Sequence, residues 1–126
     1  MTSQTRSPKS EKKYDLAERT ARFGESIVKF CRSVSRDPVT DPLLSQLVRS
    51  GTSIGANYME ADAAQSKRDF RHKISLVKKE AQETMHWLRM TACAAPSQQS
   101  TCRELWQEAH ELTLIFGAIL KRRTDA

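Results

Sequence analysis

A chain of 126 residues is sized for one domain with a single hydrophobic core, and its four glycines, four prolines and few aromatics favour helix over sheet. No apolar run reaches the ~18 residues of a membrane span, and MTSQTRSPKSEKK has no apolar segment to act as a secretory signal, so a soluble cytoplasmic protein is expected. The net charge of +6 sits mostly at the ends, with +3 in residues 1–14 and +2 in residues 121–126, which leaves +1 for the body.

The polar start reads as a disordered basic arm over residues 1–14, after which Asp15 is placed to cap a first helix. Leu16, Thr20, Phe23, Ile27, Phe30, Cys31 and Val34 then fall on one helical stripe. SRDPVTDP breaks that helix, because Pro38 and Pro42 disfavour helix at the residues before them. A second helix is predicted from Asp41 to Ala64, with Pro42 in its first turn. At about 100° per residue, Leu43, Leu47, Ile54, Tyr58 and Ala61 share its apolar face, bordered by Arg49, Ser50, Ser53, Asn57 and Glu60. Gly51 and Gly55 each cost roughly 1 kcal/mol in a helix interior, so they argue for the close approach of another backbone rather than a kink.

Ser66 and Asp69 form a capping box, with Asp in the usual Glu position, and open a third helix that runs to Ala94. Its main stripe is Phe70, Ile74, Val77, Ala81 and Leu88. Leu76 and Trp87 lie on roughly the opposite side near Glu80 and Glu83, and a second apolar face of this kind points to a subunit interface. Pro96 and SQQS close the third helix, and Leu105, Ala109, Leu112, Phe116, Ile119 and Leu120 define a fourth. Short connections imply antiparallel neighbours, which gives an all-α, up-down-up-down four-helix bundle over residues 15–122, with residues 123–126 as a C-terminal tail.

YDLAERTARF (Tyr14–Phe23), QLVRSGTSIGANYMEADAAQSKRDF (Gln46–Phe70) and KKEAQETMHWL (Lys78–Leu88) closely resemble the bacterial four-helix bundle proteins encoded in 23S ribosomal RNA intervening sequences. The similarity spans residues 14–122. It implies a left-handed antiparallel bundle, commonly a homopentamer, and extends to an accessory protein of diversity-generating retroelements, a basic pentamer that binds a reverse transcriptase and nucleic acid. By position, Arg49, Ser53, Asn57 and Glu60 match that family's polar motif, and Glu80 and Glu83 match its carboxylates on the third helix. These residues read as a structural network in which Arg49 bonds Glu80 or Glu83 across a helix pair or a subunit boundary.

Two non-enzymatic functions follow as expectations. The first is nucleic-acid binding by an oligomer. On the third helix Lys67, Arg71 and Lys78 lie within about 40° of one another, with Arg68 and Lys79 beside them, and Arg122 and Arg123 extend the patch. Repeated by symmetry, such patches give salt-sensitive, sequence-tolerant binding of RNA or DNA. The second is a scaffold that docks a basic partner, such as a polymerase or ribosomal protein, on Glu104, Glu108 and Glu111.

An enzyme is not expected. Glu83 and His86 supply one Glu-x-x-His motif where a di-iron bundle needs two, and no phosphate loop or zinc-protease motif is present. Cys31, Cys93 and Cys102 are odd in number and lack metal-site spacing, so they read as reduced apolar residues, and a Cys93–Cys102 bond would be an oxidation artefact. No cofactor or metal is expected.

Overall fold

The computed structural model describes residues 8–124, with side chains described over residues 16–122. These residues form four α-helices, Pro8–Ser33 (α1), Thr40–Asp62 (α2), Lys67–Ala94 (α3) and Gln99–Thr124 (α4), with a 3-10 turn at Pro96–Gln98 and no strand among them. No helix among them is long and apolar enough to cross a membrane.

Several boundaries differ from the sequence expectation. The first helix extends back to Pro8 rather than starting at Asp15, since proline suits a first helical turn and Glu11, Lys12 and Lys13 are good helix formers. Residues 1–7 of the expected arm lie outside the described residues. The third helix closes at Ala94 as expected, but only the first half of SQQS lies in the turn that Pro96 opens, and α4 begins at Gln99, six residues before Leu105. At its other end α4 runs to Thr124, past residue 122, and residues 125 and 126 lie outside the described residues.

SRDPVTDP does more than end a helix. The Asp37 carboxylate accepts hydrogen bonds from the backbone amides of Val39 and Thr40, each at 2.8 Å, and Thr40 Oγ1 accepts one from the Asp37 amide at 2.9 Å. Asp37 thereby satisfies amides at the start of α2 that have no partner within the helix. The amide of Thr40, then that of Val39, holds its carboxyl below the ordinary carboxylate range. At the start of α3 the expected cap forms, with Ser66 Oγ accepting from the Asp69 amide at 3.0 Å.

Each helix packs against the next in the chain, and α1 also meets α4 along a much sparser contact. The core is drawn from all four, with Ile27, Leu47, Ile54, Ile74, Val77, Leu88, Leu112 and Phe116 fully buried. On α2 the buried residue of the first turn is Leu44, whose carbonyl accepts from the Cys31 thiol, while Leu43 is half-buried. The end of α1 covers that shoulder of α2, and α3 covers the other. Ser50, expected at the polar border, is consequently fully buried and accepts a hydrogen bond from Thr84 Oγ1 at 2.9 Å.

Both glycines of α2 admit a close neighbour from α1, a backbone at Gly55 as expected and the Ile27 side chain at Gly51. A Cβ on Gly51 would stand 2.9 Å from two carbons of Ile27, and one on Gly55 would stand 3.4 Å from the Thr20 carbonyl oxygen. Both glycines lie inside one uninterrupted helix. The cysteines are free: Cys31 and Cys102 are buried, Cys93 is exposed, and loss of solvation raises the two buried thiols to about 11.

Candidate nucleic-acid interface

Arg49 bonds Glu80 and Glu83 across the α2–α3 helix pair, Ser53 and Asn57 continue from it along α2, and Glu60 lies apart. Arg49 is nearly half exposed and forks between two carboxylates of α3, with Nη1 donating to Glu80 at 3.4 Å and Nη2 to Glu83, and Nε reaching Gln46. The bond to Glu83, followed by the charge of Glu80, raises the Arg49 pKa above its ordinary value. All of these bonds lie within one chain. Glu60 belongs elsewhere, because Lys73 binds it at 2.6 Å. Ser53 and Asn57 turn inward on their own helix, Ser53 Oγ donating to the Arg49 carbonyl and Asn57 Nδ2 to the Ser53 carbonyl. Short polar side chains of this type satisfy themselves on the preceding turn, so sequence position alone does not show that they reach across.

The two apolar residues assigned to a subunit interface also part company. Trp87 is half-buried, packs against the core cluster and meets His86 edge-on at 4.8 Å between centroids. Leu76 is half-buried and does not belong to the residues packed on that cluster.

The cations of α3 divide by partner. Lys67, Arg68 and Lys79 are exposed, as is Arg122 on α4, and the side chain of Arg123 lies outside the described residues. Arg71 is half-buried and donates to the Leu120 carbonyl at 2.8 Å, near the end of α4, where the last carbonyls of a helix present partial negative charge. Lys78 is half-buried, and the end of its side chain lies over Gly117 of α4.

These contacts place Arg71 and Lys78 along the seam between α3 and α4, and the seam carries further cations that the sequence reading passed over. Arg89 follows Arg71 by 18 residues, about five helical turns, so it returns to the same face of α3. Arg103 and Lys121 are related by the same spacing on α4. Arg89 and Arg103 line one pocket, and Arg71 reaches Leu120, so the two cationic faces border one seam. The spacing of 18 was the available signal.

Carboxylates lie on other faces. Glu80 and Glu83 point toward α2 and hold Arg49, while Glu60 holds Lys73. On α4, Glu108 takes Arg19 of α1 through two bonds of 2.7 and 2.8 Å, and Glu111 takes the same guanidinium at 2.7 Å. The bond to Glu108 is the largest cause of a raised Arg19 pKa. Glu104, Glu108 and Glu111 stand about 80–140° around α4 from Arg103 and Lys121. Counter-charges that hold these cations are thus gathered at the α1–α4 and α2–α3 contacts, and among the described residues the α3–α4 seam presents cations without carboxylates between them.

Comparison with known proteins supplies the lineage. The model of the family described as 23S rRNA-intervening sequence protein matches residues 12–118. The chain is also similar to a solved protein of unknown function from the S23 ribosomal protein family of Bacteroides thetaiotaomicron, with a TM-score of 0.75 and 27% identity over 86% of this chain and 96% of that one. No curated protein matches the chain.

Proposed function

The chain belongs to the 23S rRNA-intervening sequence protein family, and from that premise we propose that it is a non-enzymatic, oligomeric four-helix bundle of the cytoplasm that binds RNA along the α3–α4 seam. The observation that carries the reading is the carboxylate-free run of Arg71, Lys78, Arg89, Arg103 and Lys121, continued at one end by Lys67, Arg68 and Arg122. Such a run attracts phosphates through counterion release and favours no sequence by itself. Cations held in no ion pair also keep more of their field, which steers a polyanion to the seam.

Cross-helix pairings support the antiparallel up-down-up-down arrangement: Ile27 meets Gly51 and Thr20 meets Gly55, Arg49 meets Glu83 and Glu60 meets Lys73, and Arg71 meets Leu120. The left hand of the bundle and its assembly as a homopentamer follow from the family resemblance. Two surface features favour assembly. Leu76 is an apolar side chain outside the core cluster, and a groove of about 590 Å³ between α1 and α2 is lined by Ala21, Gly24, Val28, Ala56 and Met59, with Met59 69% exposed. A ring would repeat the cationic seam in every subunit and multiply its affinity.

The scaffold alternative loses much of its acidic surface, since Glu108 and Glu111 are engaged by Arg19 and Glu104 alone of the three stays free for a basic partner. Native mass spectrometry of protein purified without nuclease, at low and at high salt, tests the whole reading. The expected result is a five-fold mass carrying RNA that departs at high salt. A bare oligomer at both salts would reject RNA binding and direct the search to a protein partner, and a monomer would reject assembly.

A further inference from the structure

We propose that the pocket at the Arg89 end of the α3–α4 seam holds one unpaired nucleobase stacked on Trp106, which makes the seam selective for single-stranded RNA. The inference rests on the RNA reading above and adds to it a residue, a site and a preference.

The pocket is about 380 Å³ and lies between the last turns of α3 and the first turns of α4. Leu88 and Cys102, both buried, contribute apolar lining, and Trp106 lines it from α4. Arg89, Arg103 and Gln107 are exposed at the same pocket. Each of these groups has a partner in the same kind of ligand. An apolar lining with an indole suits the flat face of a base, and two guanidinium groups suit the phosphates on either side of it. The Gln107 amide offers both a donor and an acceptor to a base edge. The volume falls in the range of small-ligand pockets, which are mostly apolar with a few placed polar groups.

Trp106 is also held in place rather than free to swing. It is half-buried, packs against the core cluster and stacks on His110 with centroids 5.0 Å apart and planes inclined by 24°. A fixed ring loses little freedom on binding. Neither Arg89 nor Arg103 has an ion pair among the described residues, so neither has to leave a carboxylate to meet a phosphate.

Length follows from the same geometry. Arg71 and Arg89 are about 27 Å apart along α3 at 1.5 Å per residue, so a mononucleotide in the pocket reaches none of the cations at the other end of the seam. A strand of several nucleotides spans both. In a duplex the bases are already stacked and paired, and none is available to enter the pocket without being extruded.

The test is fluorescence anisotropy with a 15-nucleotide single-stranded poly(A) RNA and a 15-base-pair RNA duplex, using the full-length protein and three variants, Trp106→Ala, Trp106→Phe and the double variant Lys67→Gln/Lys78→Gln. Loss of one stacked base is expected to weaken single-strand binding by about 5- to 150-fold in Trp106→Ala and to leave duplex binding unchanged, with Trp106→Phe close to the natural protein. Quenching of Trp106 emission by the single strand, read in a Trp87→Phe background, is expected alongside and does not depend on Trp106→Ala folding. Single-strand binding that falls in the double lysine variant but not in Trp106→Ala, with no quenching, would overturn the pocket and leave the RNA reading standing. Failure of the natural protein to bind either RNA would overturn both.

Discussion

Between α1 and α2 the helices meet through glycines and short side chains, whereas between α3 and α4 long cationic side chains lie across the contact. Gly51 sits against the Ile27 side chain and Gly55 against the Thr20 backbone, so α1 and α2 come close along their buried side. Lys78 passes over Gly117, Arg71 reaches the Leu120 carbonyl and Met85 Sδ accepts from Thr113 Oγ1, so the α3–α4 contact is bridged by flexible chains with polar ends. A glycine therefore means two things in one molecule. In α2 it admits a neighbour that a side chain would crowd, and in α4 Gly117 lies beneath Lys78 with space for a methyl group to spare. The lesson is that a seam built for packing has lost its adjustable groups, while a seam bridged by long cations keeps them available to a ligand.

Alanine at position 51 tests this contrast most severely. Its Cβ would press on two Ile27 carbons at 2.9 Å, and overpacking of about 1–3 kcal/mol exceeds the ~1 kcal/mol of helix propensity gained. Gly51→Ala should lower the thermal midpoint by several degrees, and the loss it causes should be smaller in an Ile27→Ala background, where both carbons met at 2.9 Å are absent. A Gly51→Ala protein as stable as its parent would show that the α1–α2 seam is looser than described.

Asp37→Ala, at the turn that begins the same seam, comes next, with an expected loss of stability in urea denaturation at neutral pH. The Asp37 pKa is lowered by folding, so its contribution is present above the ordinary carboxylate range and disappears as pH falls through the depressed value. The difference between parent and variant should accordingly shrink on acidification. A difference that persisted at low pH would assign the loss to something other than the charged cap.

Arg49→Ala is expected to cost less than about 1 kcal/mol, because the guanidinium is 48% exposed and exposed ion pairs contribute little. Sedimentation of this variant sharpens the point: unchanged assembly fits a bond made within one chain, and dissociation would show that Arg49 also acts between subunits. The smallest effect should come from Gly117→Ala, whose Cβ would meet Lys78 Cε at an ordinary 3.7 Å. It should leave stability unchanged or raise it by up to ~1 kcal/mol, opposite in sign to Gly51→Ala.

The features most legible in the sequence were those fixed by local chemistry. The Ser66 cap, the apolar stripes of α1 and α4 and the glycine pair of α2 each followed from spacing or backbone cost, and the structure contains them. Features set by which neighbour reaches a side chain were not legible. Leu43 and Leu44 are equally apolar, and only the end of α1 decides that Leu44 is the buried one. Glu60, Glu80 and Glu83 form a single motif on paper, yet Lys73 and Arg49 divide them. Trp106 was unremarked because a lone aromatic in an amphipathic helix carries no signal until α3 supplies the other wall of its pocket.

The sparse α1–α4 contact bears on how the chain acquires its shape. Because each helix packs mainly on its successor, most contacts join segments close in sequence, and such chains fold in microseconds to milliseconds. The bonds from Arg19 to Glu108 and Glu111 are different, for they join residues 89 and 92 positions apart and complete a ring that the earlier hairpins leave open. During synthesis that closure has to wait for α4 to emerge, so the Arg19 bonds can latch only a chain in which all four helices are present.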